Sequence, residues 1–296
     1  MKWERYRCRL MMRALWTAAS GMVSQQTNVD VISNNLANVN TTGYKTESAQ
    51  FKTLLYQTTQ AKTTSANGET KPVGAQVGLG TRNSAITAKF TQGSFTNTES
   101  TTDFAIDGQG FFAVQDYNGE TIYTRNGNLN WSRGSEGGIA LTTAEGYPVY
   151  DMNGQAIELI PALGETEGET GNDEIKYISS KIVVDASGNI CYPDDSGNPQ
   201  QLGFKIGLVQ FSNPAGLEKV SDSFYRQSPA SGEAIFEDDD DNLPKSNIRQ
   251  GYLEASNVQV VDEMVNMIVA QRAYEMNSKA IQAADEMLGQ ANALKR

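Results

Sequence analysis

Side chains that commonly carry enzyme chemistry are few in this sequence. Its 296 residues include no histidine and two cysteines, Cys8 and Cys191. Without histidine, a Ser-His-Asp triad, an imidazole acid or base and a histidine-ligated metal site are excluded. Two cysteines build neither a metal cluster nor a disulfide framework. A carboxylate pair for glycoside hydrolysis leaves no spacing pattern, and nothing selects one pair among 35 acidic residues. We therefore predict no catalytic site, no cofactor and no metal.

Two glycines at the spacing of a phosphate-binding turn occur in Asp107-Gly108-Gln109-Gly110. A dinucleotide-binding loop has a third glycine and opens a helix. Here the third glycine is absent, and the next residues, 111–115, are of the types found in strands. The segment therefore predicts the entrance to a β-hairpin of residues 111–115 and 121–125, with an Asn118-Gly119 turn between them.

The net charge of −11 is concentrated in two acidic segments, 165–174 and 237–241. Such runs are typical of solvated loops. At Glu237–Asp241 a calcium site is the alternative, although the run lacks the alternating ligand spacing of an EF-hand. An acidic chain does not favour nucleic-acid binding. No apolar run has the length of a membrane span.

Apolar residues repeat every seven positions near both ends of the chain, which is the pattern of a coiled coil. The repeats predict one helix that stops between Asn38 and Gly43, and another that runs from Ser256 to Leu294. We call the repeating residues the heptad seam: Leu15, Met22, Val29, Leu36, Val260, Met267, Tyr274, Ile281 and Leu288. A pair of core helices in an ordinary globular domain is the alternative. Because an isolated pair would be marginally stable, the pattern favours further copies packing into a helical polymer.

Residues 77–253 have the pattern of an antiparallel β-domain, with turn residues about every ten positions. The predicted fold class is α+β: long terminal helices pair as a coiled coil, and the β-rich domain is inserted between them. Residues 11–43 and 254–296 would form one discontinuous helical domain, 44–76 an extended arm and linker, and 77–253 the outer domain. Residues 1–10 add nothing to the heptad seam, and we interpret them as an extension ahead of an internal start at Met11 or Met12.

Three blocks of the sequence resemble one known family. The second block is 107–112 with 123–127, and the third is 254–275. The residues that carry the first block are Asn34, Asn35, Leu36, Ala37, Asn38, Gly43, Tyr44 and Lys45. These blocks are similar to the bacterial flagellar basal-body rod and hook axial proteins. Segments 14–22, 54–57 and 78–81 look most like the distal rod branch of that family. The proximal rod and hook paralogues are the near alternatives.

The resemblance implies a non-enzymatic structural subunit of the distal rod. Such a subunit would polymerise into a hollow helical drive shaft that transmits torque from motor to hook and lets export substrates pass. The implied partners are further copies, the proximal rod proteins, the hook protein, surrounding ring proteins and the flagellar export apparatus. The implied location is the basal body outside the cytoplasmic membrane, in the periplasm or cell wall. From other classes, a coiled-coil surface adhesin and a wall-degrading enzyme are alternatives.

Overall fold

The computed structural model describes residues 2–60, 74–134, 138–159, 181–193, 198–221, 223–239 and 243–293. The chain divides into two compact units. The helical unit contains Met1–Ala37, Glu47–Ala88 and Gln259–Arg296, and the β-rich unit contains Asn38–Thr46 and Lys89–Val258. The short segment Asn38–Thr46 therefore belongs to the β-rich unit, although parts of the helical unit precede and follow it in the sequence.

The helical unit is built on α1 (Lys2–Ala37) and α2 (Val260–Ala293), which contact each other. Both predicted terminal helices are thus confirmed, and α1 ends directly before the predicted stop at Asn38. Asp262 and Glu263 lie in the first turn of α2, where carboxylates stabilise the positive end of the helix dipole. The predicted start of α2 at Ser256 is wrong. The Ser256 hydroxyl accepts a hydrogen bond from the Val258 N–H (3.3 Å), which forms a turn ahead of the helix.

Strands complete the helical unit as two antiparallel pairs. β1 (Glu47–Thr53) pairs with β4 (Thr81–Ala88), and β2 (Tyr56–Gln60) pairs with β3 (Ala75–Gly78). β1 and β2 lie within the segment 44–76 that the sequence suggests as an extended arm and linker, whereas residues 61–73 lie outside the described residues. Most side chains of β3 and β4 are exposed. These strands therefore lack the alternation of buried apolar and exposed polar residues by which a strand is recognised in a sequence.

The β-rich unit is a set of short antiparallel sheets. Its strands are β5 (Phe95–Asn97), β6 (Phe104–Asp107), β7 (Phe111–Gln115), β8 (Thr121–Thr124), β9 (Leu129–Arg133), β10 (Ile139–Thr143), β11 (Glu158–Leu159), β12 (Val183–Val184), β13 (Asn189–Pro193), β14 (Pro199–Lys205), β15 (Leu208–Gln210), β16 (Glu218–Lys219), β17 (Phe224–Arg226), β18 (Ile235–Phe236), β19 (Asn247–Gln250) and β20 (Tyr252–Glu254). The largest sheet has the order β16-β17-β8-β7-β15-β18. Smaller sheets are β11-β10-β9, β12-β13-β14, β19-β6 and β20-β5.

The centre of the β-rich unit is the predicted hairpin of β7 and β8, in which Phe112 lies opposite Thr124. Its turn closes with a hydrogen bond from Gly119 N–H to Asp116 O (2.9 Å), and Gly119 has a φ of +80°. Alternate residues of β7 point to opposite faces of the sheet. Phe112 therefore enters one apolar cluster and Phe111 a second, and both are fully buried.

The structure confirms the α+β class and the hairpin entrance at Asp107-Gly108-Gln109-Gly110, which joins β6 to β7 and opens no helix. Coiled-coil pairing of α1 and α2 stays a prediction. None of the described helices combines the length and the apolar character needed to cross a bilayer. Within the same described ranges, His, Cys, Asp and Glu side chains form no group that could hold a metal ion. The acidic segment 165–174 lies outside those ranges.

Candidate functional site

One side of α2 presents large apolar side chains to solvent. We call these residues the exposed apolar face: Val261, Met264, Val265, Ile268, Val269 and Met276. They lie in the first half of the helix, and Ile268 keeps 56% of its surface exposed. The opposite side of the same helix is buried at Ala270 and Ala284. A contiguous apolar patch of this kind marks an interaction surface.

None of the residues of the heptad seam is fully buried. Val260 and Tyr274 are exposed, and the remaining seam residues are half-buried. The buried positions of α2 are Glu263, Ala270 and Ala284, which lie three residues after seam positions, and two of the three are alanines. Among the side chains of α1 that the structure describes, Ala18, Ser24, Val31, Ile32 and Asn35 are buried. Val29 and Tyr274 do come together, because both line one groove of about 380 Å³ in the helical unit.

The motif residues divide between the two units. Asn34 and Ala37 are exposed on α1, and Leu36 and Asn38 are half-buried. Asn35 is buried, and its side chain joins α1 to β1 and to α2 within the helical unit. Its Nδ2 donates to Glu47 O (2.8 Å) and to Glu263 Oε2 (3.2 Å), and its Oδ1 accepts from Glu47 N–H (2.9 Å). Asn35 therefore pairs with the backbone at the start of β1 as a neighbouring strand would.

The second half of the motif, Gly43, Tyr44 and Lys45, is buried in the β-rich unit. Gly43 has a φ of +68°, and a Cβ at this position would lie 2.8 Å from the Arg125 carbonyl carbon. Lys45 is fully buried, and its Nζ lies 2.6 Å from Glu254 Oε1 and 2.9 Å from Thr91 O. Burial lowers the pKa of the Lys45 amine below its ordinary 10.5, and the Arg125 guanidinium adds to this, against the opposing effect of Glu254.

Arg125 is the second cation on the same carboxylate. Its Nε lies 3.2 Å from Glu254 Oε2 as an ion pair without hydrogen-bond geometry. Its Nη1 donates to the carbonyls of Gly108 (2.9 Å) and Gly110 (2.6 Å). The guanidinium also lies over the Phe111 ring, 5.6 Å from its centroid. The carbonyls of the Gly-x-Gly segment therefore bind an arginine side chain, whereas a phosphate-binding turn would bind its phosphate ligand.

Glu237 corrects the interpretation of the segment 237–241 as a solvated loop. Glu237 is buried, where Gln210 Nε2 (2.8 Å) and Ser246 Oγ (2.7 Å) donate to its Oε1. The Ser246 N–H donates to its Oε2 at 2.7 Å. These three hydrogen bonds satisfy the carboxylate inside the fold. Asp240 and Asp241 lie outside the described residues.

In the sequence, Arg125, Glu254 and Asn257 lie inside the blocks that resemble the rod and hook family, but the sequence assigns them no role. No local pattern could pair Lys45 with Glu254, since 209 positions separate them. The available signal was the presence of charged residues within short, otherwise uncharged motifs. Such residues are rarely buried unless they are paired.

Comparisons with known proteins agree with the three blocks. Family models match at residues 15–45 (flagella basal body rod protein), 105–192 (flagellar hook protein FlgE/F/G D1 domain) and 249–294 (flagellar basal body rod FlgEFG protein C-terminal). The flagellar basal-body rod protein FlgG of Borreliella burgdorferi is 42% identical, over 97% of this chain and 100% of that protein. FlgG of Bacillus subtilis is 36% identical, over 97% and 100%. The solved hook protein FlgE2 of Helicobacter pylori matches 62% of this chain and 47% of that chain, at 15% identity and a TM-score of 0.22, too low for a statement about fold.

Proposed function

The chain belongs to the family of flagellar basal-body rod proteins named FlgG, and from this premise we propose that its terminal helices polymerise it into a hollow helical shaft. It is a structural subunit of the flagellar rod, at the distal rod position of FlgG, and it is not an enzyme. The shaft would transmit torque from motor to hook and let export substrates pass through its lumen.

The exposed apolar face of α2 carries this proposal. Val265, Ile268 and Val269 each keep more than half of their surface exposed, although apolar side chains gain free energy by leaving water. We propose that the occupant of this face is a second copy of the chain. The face lies on one side of α2, where a second copy can cover it. A head-to-tail contact that does not close into a ring continues as a helix.

We further propose that the heptad seam packs as a coiled coil, between α1 and α2 and between copies. Two observations support this: α1 contacts α2, and Val29 and Tyr274 line one groove. In the shaft, the predicted helical domain (11–43 with 254–296) would form the inner wall, and residues 77–253 would lie outside. The ends of the shaft would meet the proximal rod proteins and the hook protein, and ring proteins would surround it outside the cytoplasmic membrane.

The test is electron microscopy of basal bodies purified from cells in which this chain carries an affinity label. We expect label along the rod below the hook, and basal bodies without a distal rod when the chain is deleted. Label confined to the proximal rod or to the hook would instead assign the chain to a paralogous position. Purified chain should also assemble into filaments that sediment at high concentration, and a chain that stays monomeric at every concentration would contradict polymerisation through its own helices.

A further inference from the structure

The order of the chain fixes how the β-rich unit is connected to the rest of the molecule. The chain passes between the two units at 37/38, 46/47, 88/89 and 258/259. Inside the β-rich unit, three of these connections begin or end at Thr46, Lys89 and Val258. Any force that reaches the β-rich unit along the backbone enters through these three residues or through Asn38, where the fourth connection ends.

The side chain of Asn257 joins these three segments to one another. Its Oδ1 accepts hydrogen bonds from the N–H and the Oγ1 of Thr46, both at 2.7 Å. Its Nδ2 donates to Lys89 O (2.9 Å) and Thr91 O (3.1 Å). The Lys89 N–H donates to Thr46 O at 2.8 Å. One amide side chain, next to Val258, thus uses both its donor and its acceptor to hold the two other connecting segments.

A buried ion pair reinforces the same junction. Lys45, the neighbour of Thr46, binds both Glu254 Oε1 and Thr91 O. Glu254 also accepts from the Gly43 N–H at its carbonyl and from the Gly93 N–H at Oε1, both at 2.8 Å. Charge-assisted bonds of this kind are about twice as strong as neutral ones. All of these residues belong to the β-rich unit.

We propose that Lys45, Glu254 and Asn257 form a mechanical clasp that fastens the three connecting segments into one block. Without it, force on one segment would peel that segment away one hydrogen bond at a time. With it, segments 43–46, 89–93 and 254–257 share the force, and the bonds must break together. The assignment rests on the proposed torque-transmitting function, since a static protein would have no need to share force between its connections.

Hydrogen exchange on the monomeric full-length chain tests the fastening. Asn257→Ala should speed exchange of the Thr46 amide about tenfold or more, because the amide loses its acceptor. Amides of β7 and β8, such as those of Ala113 and Tyr123, should keep their protection. Thr46→Val, which removes only the hydroxyl bond, should give a smaller increase at the same segment. No change at residue 46, or an equal increase throughout the β-rich unit, would overturn the clasp.

Pulling the same monomer by its two ends tests the mechanical role. By chain order, force enters the β-rich unit at Asn38 and leaves it at Val258, so the clasp lies on the shortest path. Asn257→Ala should lower the force at which the β-rich unit unfolds. The matched control is Leu141→Ala, which opens a cavity at a fully buried core position that takes part in none of the clasp's hydrogen bonds.

The expected result is a larger loss of unfolding force for Asn257→Ala than for Leu141→Ala, even where Leu141→Ala lowers the thermal midpoint as much or more. An equal or smaller loss would overturn the mechanical role. Both measurements use the monomer, so failure of the clasp is distinguishable from failure of polymerisation.

Discussion

Ile268→Asp on α2 should separate polymerisation from the folding of the monomer. Ile268 lies on the exposed apolar face with 56% of its surface exposed, whereas Ala270 on the buried side is 1% exposed. The two positions differ by about 200° around the helix, at about 100° per residue. A charge at position 268 therefore enters no interior of the monomer, and its effect on monomer stability should stay within about 0.5 kcal/mol.

In a polymer the same charge becomes costly. Burying a whole isoleucine side chain is worth about 1.5 to 3 kcal/mol, so covering the exposed half contributes roughly 1 to 1.5 kcal/mol per contact. An aspartate loses that contribution and adds the cost of an unpaired carboxylate removed from water, which is several kcal/mol. The sum exceeds about 3 kcal/mol, or more than about a hundredfold in each association step. Since every subunit repeats the loss, filaments should disappear.

The assay combines sedimentation and electron microscopy of filaments with a thermal melt of the monomer. Gln282→Asp is the matched control, because it adds the same charge to an exposed polar position in the second half of α2. The control should polymerise as the wild type does. Filaments of normal number in Ile268→Asp would refute the assignment of the exposed apolar face. A variant monomer that melts well below the wild type would show that position 268 supports the monomer itself.

Three further predictions concern the β-rich unit. Glu254→Gln leaves Lys45 and Arg125 buried without a carboxylate, and should cost about 3 to 5 kcal/mol in denaturant unfolding; a loss under about 1 kcal/mol would mean that the cations find other partners. Gly43→Ala should destabilise by more than about 1 kcal/mol, since alanine is strained at positive φ, and an unchanged denaturation midpoint would contradict this. Burial raises the pKa of Tyr123 above 10.0, so this tyrosine ionises first in the unfolded chain, and the free energy of unfolding falls as pH rises through about 10. Lys45, whose pKa is lowered, acts in the opposite direction. Tyr123→Phe should therefore remove part of the fall that the wild type shows.

Local patterns predicted the parts of the fold that rest on short-range physics. The sevenfold repeats mark α1 and α2, and Asn118-Gly119 marks the turn of the central hairpin, because each depends on residues close in sequence. β1 and β4 could not be predicted in the same way. Their side chains are mainly exposed or half-buried, so no face alternates between apolar and polar. A sequence alternates between apolar and polar residues along a strand only where one face of that strand is buried.

The candidate sites show the same limit. The sevenfold repeat identified the correct helices, but its own residues in α2 are half-buried or exposed, whereas Ala270 and Ala284 are buried. Only the packing of α1 against α2 decides which side of α2 is buried. Likewise, the motif around Lys45 was recognisable, but its partner Glu254 lies near the other end of the chain. Burial and pairing over such separations are properties of the fold.

The distribution of apolar side chains also distinguishes how the two units gain stability. The β-rich unit buries large residues completely in a core of its own, among them Phe104, Phe112 and Leu141. In α2 the buried positions are mostly small, and a methyl group removes much less area from water than an isoleucine side chain does. Long helices are stabilised mainly by packing of their apolar face. The helical unit of the monomer therefore leaves the large apolar side chains on one side of α2 in water. Its full stability should develop only when a second copy covers the exposed apolar face.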